Sequence, residues 1–186
     1  MQRYVLALVV VASCQLTGIN AIFLYAKQLF EEITDHELLL SQQLMLGLSF
    51  CQLVACSMSG RFIDTFGRRY LMMRGQTCLI VIMVTIFLVD SCADYLPSRD
   101  FYHYTLIVLF YAHVIIFNFT LGPICILYAA ELVSNLTPVI VTKRTVNLTV
   151  AISTNYLMHE FGIGPMFLLY AVMSLVVHYY LRDRLR

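Results

Sequence analysis

Charge is what this sequence has least of. Asp, Glu, Lys and Arg make up only 12% of its 186 residues, against roughly a quarter in an ordinary soluble domain, so a water-facing surface around a soluble core is excluded. The formal net charge is +1, which gives no reason to invoke nucleic acid. The sequence also lacks any CxxC pair or Cys/His cluster with metal-ligand spacing. Its six cysteines, Cys14, Cys51, Cys56, Cys78, Cys92 and Cys125, therefore read as small apolar residues packing helices together. His36, His103, His113, His159 and His178 are scattered, with no nucleophile and base in a recognisable arrangement. Neither an enzyme nor a bound metal or cofactor is expected, and His113 reads as a satisfied packing residue. Asn-x-Ser/Thr matches at Asn118, Asn135 and Asn147 fall within apolar spans or on the inner side, so none reads as a glycan site.

What is abundant is hydrophobic length. Apolar residues reach 60% and mean hydropathy is +0.80. A bilayer-spanning helix needs about 20 mainly apolar residues, and six stretches qualify: 4–26, 38–62, 71–92, 104–130, 139–158 and 162–181. They are long and unbroken, without the ten-residue alternation of barrel strands. The fold expected is all-α, a polytopic membrane protein of six spans. The first stretch is too long for a signal peptide and carries Gln15, Asn20 and Lys27 in place of a small-residue cleavage site.

Orientation follows from the basic residues. With both termini cytoplasmic, the inner side holds Arg3, Arg61, Arg68, Arg69, Arg74, Lys143, Arg144, Arg182, Arg184 and Arg186, and the outer side only Lys27 and Arg99. This is the positive-inside bias. The outer loops gather Glu31, Glu32, Asp35, Glu37, Asp90, Asp94, Asp100 and Glu160.

Three segments carry a resemblance. The first span contains Gln15-Leu16-Thr17-Gly18-Ile19-Asn20-Ala21, the second ends in Arg61-x-x-Asp64-x-x-Gly67-Arg68-Arg69, and the fourth contains Gly122-Pro123-Ile124 followed by Ala130-Glu131-Leu132. In this order and spacing the chain resembles the C-terminal six-helix half of the sugar porters of the major facilitator superfamily, over essentially its whole length. The resemblance implies transport of a hexose-type sugar by alternating access. It also implies a location in the plasma membrane and a partner for the other half, either a separate or missing N-terminal half or a second copy.

Amides at membrane depth are costly unless they face partners or a wet cavity, and side chains that donate and accept suit a ligand made of hydroxyls. Gln15 and Asn20 flank Gly18, where a helix can loosen. The resemblance puts sugar contacts at Gln15, Asn20 and Gln52; the alternative is helix-to-helix hydrogen bonding. Tyr25 reads either as an outer gate or as an interfacial anchor. Pro123, lacking a backbone donor, should kink the fourth span, as a gate or as a static packing feature. Asp64, Arg68 and Arg69, with Glu131 and Lys143 or Arg144, form a candidate cytoplasmic charge latch, which the family's pairing supports for Arg68 and Glu131. Arg182, Arg184 and Arg186 read as snorkelling interfacial charge.

The chain departs from the family in places. Cys14 stands where many sugar porters carry a second glutamine, the family's tryptophan falls at Ile126, and no Trp occurs anywhere. These departures, with the apparent half-length, also fit a non-transporting half-porter that senses sugar or binds a full transporter.

Overall fold

The computed structural model describes residues 2–34, 37–95 and 98–184, with only the backbone of Gln2, Glu32 and Asp94. Asp35, His36 and Arg186, used in the charge and histidine readings, lie outside the described residues, as do the side chains of Glu32 and Asp94.

Among the described residues all regular structure is helical, the solution lipid imposes on a chain whose backbone must satisfy itself without water. Helices α1 (Gln2–Leu16) and α2 (Ile19–Ile33) form the first span, interrupted at Thr17 and Gly18. Then come α3 (Leu38–Phe66), α4 (Arg68–Ser91) and a 3-10 turn at Ala93–Tyr95. The fourth span is α5 (Arg99–Phe119) and α6 (Leu121–Leu132), interrupted at Thr120, and α7 (Thr137–Phe161) and α8 (Ile163–Arg184) complete the bundle. Helices outrun most of the apolar stretches because they continue through polar residues at the water interface. Gly67 and Gly162 are each the single residue between two helices, with φ of 82° and 80°, a left-handed turn that residues with a Cβ rarely take. Ser98 starts α5 by accepting a hydrogen bond from the Phe101 N–H at 3.2 Å.

Five of these segments are long and apolar enough to cross a membrane. The expected fifth span is a helix too, but α7 is more polar than the others. At 25 residues it reaches about 37 Å, yet Lys143, Arg144, Asn147 and Asn155 interrupt its apolar run.

The core is built from Ile22, Leu29, Phe30, Leu48, Phe110, Phe167 and Tyr170, all at most 2% exposed. The first span lies deepest, with 61% of its most apolar window buried, whereas α3 buries 17%. Leu46, Phe50 and Leu53 on α3, Leu148 and Ile152 on α7 and Val176 on α8 point outward, an apolar surface that suits lipid and would be a liability in water.

The cysteine reading needs correction. Cys14 of α1 and Cys125 of α6 form a disulfide, with Cα atoms 6.8 Å apart. They are 111 positions apart in sequence, so no short spacing announces the pair; the packing of α6 on α1 makes it. Cys51, Cys56, Cys78 and Cys92 are free. His113 is a buried packing residue; among the described residues neither ring nitrogen makes a hydrogen bond of full geometry, although the Thr17 backbone lies within polar reach.

Candidate functional site

The break in the first span organises the site. Gly18 takes φ 71° and ψ 15°, and the Tyr170 ring lies 3.2 Å from where a Cβ would stand; glycine answers both the left-handed turn and the close approach. An interrupted helix leaves carbonyls without their i+4 donors. Side chains fill in: the Thr17 hydroxyl donates to the Cys14 carbonyl at 2.7 Å, and the Ser174 hydroxyl of α8 donates to the Leu16 carbonyl at 3.0 Å.

The two amides flanking the break meet across it. Gln15 is 4% exposed, and its Oε1 accepts from Asn20 Nδ2 at 3.2 Å and from Asn147 Nδ2 of α7 at 3.1 Å. One carbonyl oxygen thus uses both lone pairs to join α1, α2 and α7. Among the described residues nothing engages Gln15 Nε2, Asn20 Oδ1 or Asn147 Oδ1, which leaves donors and acceptors side by side. Asn20 and Asn147 are half-buried, so the cluster reaches the surface on that side.

Sequence reasoning missed Asn147 except as a rejected glycan match, although it passes the test that singled out Gln15: an amide within an otherwise apolar stretch. Gln52 of α3 is half-buried on the face carrying Leu48, Ala55 and Ser59, outside this hydrogen-bonded cluster. Tyr25 is buried, its ring meeting Phe110 edge-on at 5.6 Å; it is not exposed as an interfacial anchor would be.

The second interruption lies at Thr120, three residues before Pro123. The proline ring displaces the carbonyl four residues back, that of Phe119, the last residue of α5. The Thr120 hydroxyl turns back to the Ile116 carbonyl at 2.6 Å. Gly75 of α4 lies against this break, a Cβ there standing 2.2 Å from Thr120 Oγ1. The Cys14–Cys125 bond ties the two interrupted spans together one residue from Gln15. Ile126, at the family's tryptophan position, is 45% exposed.

At the basic end of the bundle, Arg68 and Glu131 form an ion pair between α4 and α6, both partly exposed. Among the described residues Asp64, Arg69 and Arg144 form no ion pair; Arg69 instead donates from Nη2 to the Arg182 carbonyl at 3.2 Å. At the opposite, acidic end, Asp90 is a junction that the sequence did not single out. Its two carboxylate oxygens accept from the Tyr102 hydroxyl at 2.8 Å and the Gly164 N–H at 2.9 Å, joining α4, α5 and α8. Cavities of about 720 and 770 Å³ open at the basic end, and neither includes the amide cluster. Among the described residues no three or more histidines, cysteines or carboxylates gather as metal ligands would.

Residues 1–181 match the protein family described as sugar (and other) transporter. No curated protein matches the chain significantly. With a family match over nearly its whole length and an all-helical fold with five helices fit to cross a bilayer, the chain belongs to the sugar (and other) transporter family of the major facilitator superfamily.

Proposed function

We propose that this chain moves a hexose-type sugar across the plasma membrane by alternating access, as the C-terminal-type half of a porter with both termini cytoplasmic. The observation that carries the reading is the amide cluster: a buried Gln15 oxygen held by Asn20 and Asn147 at a helix break, with one amide donor and two amide acceptors that no described residue engages. Hydroxyls of a pyranose both donate and accept, so such a cluster can bind several at once. Broken helices lining a midplane site are the recurring architecture of transporters. The half-exposed side of the cluster supports completion of the site by a second half, either an N-terminal half or another copy. Gln52 would then supply a further contact, with Tyr25 on the outer side and the Thr120–Pro123 break on the inner side acting as gates. The Arg68–Glu131 pair would hold the inner ends closed and separate when they open.

The test is uptake of labelled glucose by cells lacking their own hexose transport and expressing the protein. Gln15→Leu and Asn147→Leu remove one bonding group each, worth about 1–3 kcal/mol when a buried partner is stranded, and should lower uptake roughly tenfold or more at unchanged surface expression. Full uptake in both variants would sink the proposal. Glucose bound without uptake by the unaltered protein would make it a sensor or an interaction partner instead.

A further inference from the structure

The cavity of about 720 Å³ between the start of α4 and the end of α8 shares only Arg68, half of the proposed latch, with the sugar reading and lies apart from the amide cluster. Its walls include Arg68, Arg69, Arg74 and Arg182, alongside Phe66 and Tyr70. Among the described residues Arg68 alone of the four is neutralised, by Glu131. Arg69 donates to a backbone carbonyl and Arg74 lies over the Tyr70 ring at 5.4 Å, so among the described residues neither these two nor Arg182 has a carboxylate partner. Three guanidinium groups facing one concavity repel each other unless an anion sits among them. Snorkelling accounts for single cations at a helix end; it does not account for gathering them around a cleft between two helices.

The shape and flanks of the cleft define the anion. Guanidinium forks match phosphate oxygens bidentately. The first turn of α4 opens on the same cavity without a side-chain cap, adding its positive dipole end to the arginines. Phe66 and Tyr70 stand on one side, 54% and 53% exposed and with ring centroids 6.3 Å apart, as an exposed aromatic wall. We infer that this cavity binds the phosphate of an anionic phospholipid headgroup, whose acyl chains lie along Phe66 and Tyr70. Clusters of basic residues between helix ends are a recognised basis for such binding. That the leaflet is the inner one rests on the orientation proposed above; the binding itself does not.

The test uses the full chain in neutral detergent and isothermal titration with short-chain phosphatidic acid, short-chain phosphatidylcholine and inorganic phosphate. Phosphatidic acid should bind one to one, at least tenfold more tightly than phosphatidylcholine, and weaken as salt is raised. The double substitution Arg74→Gln with Arg182→Gln should weaken it at least tenfold. Arg61→Gln with Arg184→Gln removes the same charge from outside the cavity and should leave affinity within about twofold. Equal loss in both double variants, or equal binding of phosphatidylcholine, would overturn the site. Inorganic phosphate binding as tightly as phosphatidic acid would overturn the lipid as its source. Circular dichroism of each variant separates lost binding from lost fold, and loss of sugar uptake in the Gln15 variant would leave these titrations unchanged.

Discussion

Gly75→Ala should push α4 off the break in the fourth span. A Cβ at this position would lie 2.2, 2.5 and 2.9 Å from Thr120 Oγ1, Cβ and Cγ2, where carbon atoms settle at about 3.5–4 Å. Rotating the threonine cannot remove the clash, because its Cβ is fixed to the backbone. The helices must separate by about 1 Å. Overpacking of this kind costs about 1–3 kcal/mol, while alanine in a helix gains at most about 1 kcal/mol over glycine; contacts this short put the clash at the upper end, and the net loss should be about 2 kcal/mol. Gly60→Ala makes the contrast, since nothing lies within 4 Å of its added carbon and only the helix gain remains. For a chain of this size 1 kcal/mol moves the melting point by roughly 2–4 °C. Thermal unfolding in detergent should therefore put Gly75→Ala a few degrees below the parent and Gly60→Ala at or above it. Thr120→Gly removes the clashing carbon, so the double variant should lose less than the two single losses added together. A Gly75→Ala melting point at or above the parent, or strict additivity with Thr120→Gly, would refute the reasoning.

Three more outcomes follow from particular contacts. Peptide mapping without reductant should find Cys14 joined to Cys125, and reduction should lower the melting point, with a stability loss below the roughly 4–5 kcal/mol that closing so long a loop is worth in water; labelling of both cysteines before reduction would contradict it. Asp90→Leu strands the Tyr102 hydroxyl and the Gly164 N–H at about 1–3 kcal/mol for each group, whereas Asp90→Asn keeps one acceptor and should lose less; a melting point as high as the parent's for Asp90→Leu would be the contrary result. Arg68→Glu should change stability by under about 1 kcal/mol, because both partners are partly exposed, yet should slow sugar exchange, with Glu131→Arg restoring it; no recovery in the charge-swapped pair would remove the latch.

Apolar run length made the helical spans legible, because lipid imposes it on every crossing, and Gly18 and Pro123 announced the two interruptions through backbone chemistry alone. Pattern reading blurred where a helix serves the interior: α7, read from the sequence as the fifth span, is not among the five helices apolar enough to cross a membrane, and Asn147, which α7 turns towards Gln15, is part of that polarity. The disulfide, the contact of Asp90 with the Gly164 N–H and that of Ser174 with the Leu16 carbonyl join residues 74 to 158 positions apart. No local period encodes such pairings; the packing of α8 on α1 and α4 and of α6 on α1 creates them. The charge motif suggests a wider network than the described residues form: Arg68 reaches Glu131, while Arg69 beside it reaches α8, because successive helical residues point about 100° apart.

The most direct test of the central claim is equilibrium binding of labelled glucose and a set of monodeoxyglucoses to the purified protein and to Gln15→Leu. The account predicts that the variant binds glucose at least about tenfold more weakly, and that one deoxy sugar, weakened in the parent, loses nothing further in the variant because the partner of its missing hydroxyl is already gone. Glucose affinity unchanged by Gln15→Leu would contradict it and leave the amide cluster a structural tie between α1, α2 and α7.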